Sequence, residues 1–170
     1  MPTEIDDRRS LVMSEMMTPE KANFAGNIHG GNLLQLLDKV AYACAARYSG
    51  QYVVTLSVDQ VLFKKPIHIG ELITCYANVN YVGRTSMEIG IKVVAENLKT
   101  GEIRHTNSCY FAMVALDENS KPVTIKPLEI RNDLDRRRNE EAILRKEMTL
   151  AFSQEHQHRK QVLKEQFKKK

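Results

Sequence analysis

A single carboxylate interrupts an otherwise apolar segment. Asp38 lies in the stretch NLLQLLDKVAYACAARY, where leucine, valine, alanine and cysteine recur at helical spacing. A carboxylate at the border of a buried surface is held by protein and still meets a cleft, where it can take a proton from a bound water as a general base. The other interpretation is that Asp38 only marks where solvent begins. The stretch alone leaves both interpretations open.

Two glycines, Gly30 and Gly31, directly precede this apolar stretch. The first N–H groups of a helix have no partner within the helix, and glycine lets a ligand oxygen approach them closely. Such a helix start suits an anion or the oxyanion of an acyl-transfer reaction. A tight turn before a helix has the same composition, so the pair is a weak signal alone. We interpret the adjoining His29 as a structural loop residue rather than a general base.

The chain lacks the sequence patterns of several common sites. It has no Walker loop, no G-x-G-x-x-G fingerprint after a strand and no serine nucleophile elbow. Its five histidines show no metal-ligand spacing, so we expect neither a metal nor a cofactor. The three cysteines have no C-x-x-C spacing and are typical of buried thiols in a reducing compartment. With no signal-peptide pattern at the start of the sequence, we predict a cytoplasmic protein.

The positive charge of the chain lies near its C-terminal end. Residues 131–170 hold 12 Lys and Arg against 7 Asp and Glu, whereas the remainder holds 13 against 14. A basic tail can contact RNA or anionic lipid, or it can be a solvated helix. Acidic residues are interleaved throughout this one, which favours the solvated helix. We predict a charged helical tail, no nucleic-acid partner and no membrane span.

The apolar stretch that contains Asp38 has the periodicity of a helix over residues 31–48. At 100° per residue, nine side chains fall in one arc of about 180°, namely Leu33, Leu34, Leu36, Leu37, Val40, Ala41, Cys44, Ala45 and Tyr48. Asp38 lies about 20° beyond the edge of that arc. This pattern predicts a central helix packed against a sheet, with Asp38 at the border of its buried face.

Four segments after this helix have the composition of β-strands, namely residues 52–63, 71–82, 86–97 and 103–116. Turn residues separate them with no helix between, which predicts an antiparallel meander. One helix followed by such a sheet is an α+β fold. We therefore predict one domain over residues 1–130 and the charged helical tail over residues 131–170.

The run NFAGNIHGGNLLQLLDKVA, followed by VLFKKPIHIGELITCYANVNYVGRTSMEIGIKV, resembles the hotdog-fold acyl-CoA thioesterases, and most of all the cytosolic acyl-CoA hydrolases. The resemblance covers residues 8–125. It implies a long central helix wrapped by a curved antiparallel sheet. It also implies homodimers with the two sheets joined edge to edge, commonly assembled into a hexamer as a trimer of dimers. The implied activity is hydrolysis of fatty acyl-CoA to free fatty acid and CoA.

The resemblance also assigns catalytic residues. In this family an acidic residue of the central helix and an asparagine 15 positions earlier form the active site, and they correspond to Asp38 and Asn23. The family supplies them from two protomers. A helical rise of about 10 Å between Gly31 and Asp38 agrees, because it keeps the two apart within one chain. Asp38 would act as general base or, alternatively, as nucleophile. Asn23 would orient the water or the acyl carbonyl, and N–H groups at Gly31 would polarise the carbonyl oxygen.

The CoA part of the substrate needs positive charge for its phosphates. After Gly83, the sequence RTS resembles the family's nucleotide-contacting edge, and other lysines qualify by charge alone. The candidates are Arg84, Thr85, Ser86, Lys64 and Lys65, with Lys121 as a further lysine. The other interpretation is that all of them are exposed turn residues. The sequence does not indicate the preferred length of the acyl chain.

Two other functions fit a hotdog fold. Hydratases of acyl thioesters typically pair a histidine with an acidic residue, in a motif that this chain lacks. A non-catalytic acyl-CoA sensor is the second alternative, since a fold does not dictate a function. A sensor would not need both Asn23 and Asp38, so we favour the thioesterase.

Overall fold

The structure, a computed structural model, describes residues 8–168. These residues form two compact units, of which the first ends at Glu129 and the second begins at Ile130. The first unit contains one long helix and five strands, and the second is a single helix. The opening residues 1–7, on which part of the signal-peptide expectation rests, lie outside the described residues.

The central helix, α1, spans Gly30–Ser49. His29 caps its start, and Gly50 ends it in the left-handed conformation at φ 67°, which glycine adopts without strain. Seven of the nine residues in the predicted arc are buried, namely Leu33, Leu36, Leu37, Val40, Ala41, Cys44 and Ala45. The other two differ, because Leu34 is exposed and Tyr48 is only half-buried.

The five strands form one antiparallel sheet in the spatial order β1-β3-β4-β5-β2. Their bounds are β1 Ser10–Met16, β2 Tyr52–Val58, β3 Glu71–Val82, β4 Ser86–Asn97 and β5 Ile103–Leu116. The inward-facing side chains of β3, β4 and β5 alternate along each strand and are buried. Every strand contacts α1, so the helix lies along the concave face of a sheet that wraps it, as predicted.

Two features of the sheet differ from the prediction. The strand predicted over residues 52–63 ends at Val58, and residues 59–66 form a loop whose first residue, Asp59, donates its N–H to Tyr110 O at 3.0 Å. The prediction of a four-strand meander was also wrong for β2, which pairs with β5 instead of β3. The connection over residues 59–70 is long enough to carry the chain across to the far side of β4, so adjacency in sequence did not dictate pairing.

The first strand, β1, was not predicted. It pairs with β3 at the opposite edge of the sheet from β2. Its side chains are exposed or half-buried, because an edge strand has a neighbour on one side only. Edge strands show only weak alternation of apolar and polar residues. The sequence of residues 10–16 therefore does not distinguish a strand from an irregular segment.

The three cysteines are free and buried in the core of the first unit, as the sequence indicated. Cys75 and Cys109 lie on the inward faces of β3 and β5. Burial in apolar surroundings raises the pKa of each of these two thiols to about 12. Both therefore remain protonated at neutral pH and act as small apolar side chains.

The second unit consists of helix α2, Asp133–Lys168, which confirms the charged helical tail. Asn132 Oδ1 accepts the Asp135 N–H at 2.9 Å and supports the first turn. Further along, Glu155 and Arg159 form an ion pair one turn apart. Neither helix in residues 8–168 carries an apolar stretch of the length that crosses a bilayer.

Candidate active site

Asp38 lies on α1 facing the middle of β2. It is exposed, which agrees with the predicted position at the border of the buried face. The Thr55 hydroxyl donates a hydrogen bond of 2.6 Å to Asp38 Oδ1. Asp38 Oδ2 has no hydrogen-bond partner within residues 8–168. One carboxylate oxygen is thus held by β2, and the other is available to a ligand or water.

Thr55 was not identified from the sequence. It stands at a register shift in the β2–β5 pairing, where Thr55 pairs with Met113 and Ser57 with Ala112. A bulge of this kind re-aims side chains and is common beside active sites. A threonine in a β-rich segment carries no signal of its own, so only the packing of β2 against α1 shows its contact with Asp38.

A cavity of about 550 Å³ adjoins Asp38. It is lined by Leu34, Gln35, Asp38, Val58, Asp59, Val61, Phe63 and Phe111. Its walls are mainly apolar, and Asp38 and Asp59 are the carboxylates on them. An apolar chain with a polar head at Asp38 fits this lining.

Asn23 lies in the loop before α1. Its Oδ1 accepts the N–H groups of Ala25 at 2.9 Å and Asn27 at 3.2 Å, and its own N–H donates to Asn27 O. These bonds hold the carboxamide oxygen in place and fold the loop around the side chain. The Nδ2 group has no acceptor among the described residues. The loop therefore presents the amide NH₂ of Asn23 as a fixed donor.

Asn23 and Asp38 line different cavities. The Asn23 cavity measures about 420 Å³. Its lining residues are Asn23, Asn27, Ile28, Gly30, Leu33, Phe63, Lys64, Lys65, Pro66, Ile67, Thr106 and Asn107. Phe63 lines both cavities and stands between them. Asn23 thus lines the first of these two cavities and Asp38 the second.

The N–H of Gly31 is engaged in this structure. It donates to His29 Nδ1 at 3.0 Å, so His29 caps the helix, in agreement with its interpretation as a structural residue. Gly30, in contrast, lines the Asn23 cavity, and its N–H has no acceptor within residues 8–168. Gly30 therefore lies against the Asn23 cavity with its N–H unengaged by the described residues.

The candidate CoA-binding residues fall into two separate groups. Arg84 and Thr85 lie in the β3–β4 turn, and Ser86 begins β4. Thr85 O accepts the N–H of Ala115 in β5, and Arg84 O accepts the N–H of Ile125 after β5. Lys64 and Lys65 line the Asn23 cavity.

The pairing of β4 with β5 measures the separation of these two groups. Ser86 pairs with Val114, whereas the Asn23 cavity is lined by Asn107 of the same strand. The seven residue steps from Asn107 to Val114 correspond to about 23 Å. One chain does not bring the two groups together. Lys121 lies in another turn, and its N–H donates to Asp117 Oδ1. Within the described chain, no cluster of three His, Cys, Asp or Glu side chains suits a metal ion.

Comparison with known proteins agrees with this geometry. Residues 25–102 match the model of the thioesterase superfamily. The crystal structure of a hexameric acyl-CoA thioesterase is 33% identical, with a TM-score of 0.82 over 86% of this chain and 94% of that one. The chain belongs to the thioesterase superfamily. The hotdog fold predicted from the sequence is thereby confirmed.

Two further relatives of this thioesterase-superfamily chain are informative. Protein VdlD of Helicobacter pylori is 55% identical over 142 residues, which cover 84% of this chain and 81% of VdlD. An acyl-CoA hydrolase from Staphylococcus aureus, solved with butyryl-CoA and CoA, is 27% identical with a TM-score of 0.80, covering 91% and 94% of the two chains. That enzyme has also been solved as three variants, in which an Asn, an Asp or a Thr is replaced by Ala. The Asn precedes the Asp by 15 positions, and the Thr follows the Asp by 17.

Proposed function

We propose that this protein hydrolyses the thioester bond of fatty acyl-CoA, and that Asp38, Asn23 and Thr55 form its active site. The observation that carries the proposal is the Thr55–Asp38 hydrogen bond. Asn23, Asp38 and Thr55 have the same spacing as the three residues substituted in the Staphylococcus aureus hydrolase. The contact of 2.6 Å supplies a physical reason for including the threonine.

In the proposed mechanism, Asp38 is the general base. Thr55 holds Oδ1, and Oδ2 takes a proton from a water whose oxygen attacks the thioester carbonyl carbon. The carbonyl oxygen becomes an oxyanion, which the Asn23 amide and the N–H groups at the start of α1 stabilise. The C–S bond then breaks, and the CoA thiolate takes the proton from Asp38. The products are the fatty acid and free CoA.

The helix start contributes through Gly30 and Gly31. Gly30 N–H is the donor that needs no rearrangement, while Gly31 N–H becomes available when the His29 imidazole turns away. Loss of one oxyanion donor typically costs about 2.7–4 kcal/mol in the transition state. No metal or separate cofactor enters this mechanism, and CoA takes part only as a portion of the substrate.

The active site requires two protomers in this proposal, because Asn23 and Asp38 line different cavities of one chain. The edge strand β2 is the surface that we assign to the dimer. Its outer edge pairs with no other strand in residues 8–168, and Leu56 on it is 67% exposed. Pairing of two β2 strands would continue the sheet across the dimer. Each dimer then holds two sites, and three dimers form the proposed hexamer in the cytoplasm.

The two groups of candidate CoA residues fit such a dimer. Lys64 and Lys65 line the cavity of Asn23, whereas Arg84, Thr85 and Ser86 lie at the end of the sheet nearer Thr55. A site built from Asn23 of one protomer and Asp38 of the other draws one group from each. We propose that both contact the CoA moiety.

The decisive experiment measures thiol release from butyryl-CoA and palmitoyl-CoA. Asp38→Asn keeps the shape of the side chain and removes the base, so we expect a loss of about 100-fold or more in kcat. Asp59→Asn is the matched control, because Asp59 lines the same cavity and has no part in the mechanism. Retained turnover in Asp38→Asn would refute the assignment. Tight CoA binding by the wild-type protein without thiol release would favour the sensor.

A further inference from the structure

A third cavity lies beside the Asn23 cavity and shares part of its wall. It measures about 320 Å³ and is lined by Gln60, Leu62, Lys64, Lys65, His105, Thr106, Asn107 and Ser108. Four of these residues also line the Asn23 cavity, namely Lys64, Lys65, Thr106 and Asn107. No carboxylate lines this third cavity. Two ammonium groups without a competing carboxylate attract an anion.

The polar residues of this cavity come from an irregularity in β5. The pairing with β4 shifts between Val93, which faces Asn107, and Val94, which faces His105. Thr106 is therefore an extra residue, and Thr106 and Asn107 are both buried. His105 and Ser108 are exposed on either side of them, with His105 Nε2 at 3.0 Å from Ser108 Oγ. The bulge thus places the His105 imidazole and the Ser108 hydroxyl in the same cavity as the two lysines.

Asn107 carries an unpartnered polar group at the junction of the two cavities. Asn107 is only 4% exposed, and its Nδ2 has no hydrogen-bond partner within residues 8–168. The Thr106 hydroxyl lies 3.1 Å from Asn107 Oδ1 and 3.2 Å from Val93 O. One hydroxyl proton cannot serve both acceptors. In either orientation of the amide, one end of Asn107 stays unpartnered, which normally costs free energy.

We propose that the joined cavities bind the CoA moiety of the substrate. His105 and Ser108 contact its phosphates, and Asn107 forms a hydrogen bond with an amide of its pantetheine arm. The inference rests on the proposed function and adds residues to that site. The lysines supply charge to the phosphates, and the hydrogen-bonded pair of His105 and Ser108 supplies a directed donor. The pantetheine arm then passes over Asn107 toward Asn23. Its amides can satisfy the unpartnered end of Asn107, whether that end donates or accepts.

A series of three butyryl thioesters tests each contact separately. Butyryl-CoA contains phosphates and amides, S-butyryl-pantetheine contains only the amides, and S-ethyl thiobutyrate contains neither. His105→Ala is expected to lower kcat/KM for butyryl-CoA about tenfold relative to that for S-butyryl-pantetheine, because it removes one charge-assisted hydrogen bond. Asn107→Leu is expected to lower kcat/KM for S-butyryl-pantetheine about tenfold relative to that for S-ethyl thiobutyrate. His156→Ala in α2 is the matched control and leaves both ratios unchanged.

The ratios separate binding from folding. A variant that is merely less stable lowers all three rates alike, and unchanged ratios would overturn the proposal. Should Asn107→Leu fail to fold, Asn107→Ser replaces it, with the same ratio as readout. Wild-type protein that releases no thiol from any of the three overturns the proposed hydrolase function itself. Release from all three with equal kcat/KM leaves the hydrolase intact and overturns the assignment of His105 and Asn107.

Discussion

The Thr55 hydroxyl donates a hydrogen bond of 2.6 Å to Asp38 Oδ1. This contact links β2 to α1 and leaves the second carboxylate oxygen unengaged by the described residues. It orients the proposed general base, and it does so from the edge strand that we assign to the dimer. Dimer formation and the position of the base are therefore expected to depend on the same segment of chain.

Substitution of Thr55 tests whether the orientation of Asp38 matters. Thr55→Val keeps the shape and removes the hydroxyl, and we expect kcat to fall about tenfold, as for one lost hydrogen bond. Thr55→Ser should retain most of the activity, because it keeps the donor. Thr74→Val, which removes a hydroxyl bonded to Ser14 on another strand, serves as the control. Equal kcat values in Thr55→Val and the wild type would contradict the orienting role.

A mixing experiment tests the shared active site. Asn23→Ala and Asp38→Asn are each expected to be nearly inactive. Subunits exchanged at equal amounts form mixed dimers, in which one site combines the intact Asn23 with the intact Asp38. Random pairing predicts recovery of about a quarter of the wild-type rate. Thiol release is measured before and after subunit exchange, and each variant mixed with itself is the control. A mixture that stays inactive would mean that both residues act within one chain.

The ion pair between buried Glu71 and half-buried Arg104 is expected to make stability depend on pH. Burial alone raises the pKa of Glu71, but hydrogen bonds from Arg104 and from the His68 N–H outweigh it and hold the pKa below the ordinary value of 4.5. The stabilisation is therefore fully present above pH 4.5 and is lost as the pH falls through the lower, folded-state value. Arg104 also donates to Pro66 O at 2.8 Å, so the pair anchors the end of the loop that carries Lys64 and Lys65.

Urea unfolding of Arg104→Met measures this contribution. The substitution leaves a buried carboxylate without its partner and is expected to cost about 3 kcal/mol at pH 7. The difference from the wild type should shrink in strongly acidic solution, where Glu71 is protonated. Arg137→Met, which breaks an exposed pair with Glu141 in α2, is expected to cost far less. A difference that does not change with pH would show that Arg104 stabilises by packing alone.

Gly90 is expected to tolerate no side chain. A Cβ at this position would lie 2.3 Å from Asn80 Nδ2, and Asn80 is buried and donates to Glu88 Oε1 at 3.1 Å. We expect Gly90→Ala to displace the amide and to destabilise the fold by about 1–3 kcal/mol. Gly83→Ala is the control, since its nearest neighbour would lie at 3.4 Å. Thermal unfolding distinguishes the two, and equal melting temperatures would contradict the expected clash.

Local sequence pattern determined the two helices and strands β3, β4 and β5 of this protein. The period of 3.6 residues in α1 shows which side chains are buried, and it places Asp38 at the border of that face without any knowledge of the sheet. The turns at Gly83 and Gly101 delimit β3, β4 and β5 almost to the residue. These signals are local, because a helix or strand satisfies its own spacing within a few residues.

Only the tertiary structure decided how the elements meet. The pairing of β2 with β5, the hydrogen bond from Thr55 to Asp38, and the placement of Asn23 and Asp38 in separate cavities all join segments distant in the chain. Such contacts depend on how the sheet as a whole buries its inner face against α1, and many registers share the same local alternation. The hydrogen bond from Gly31 N–H to His29 Nδ1 shows that a contact between near neighbours in the chain can also depend on the folded structure. Residue types marked the helix start as a donor site, but the folded loop decided which glycine keeps a free N–H.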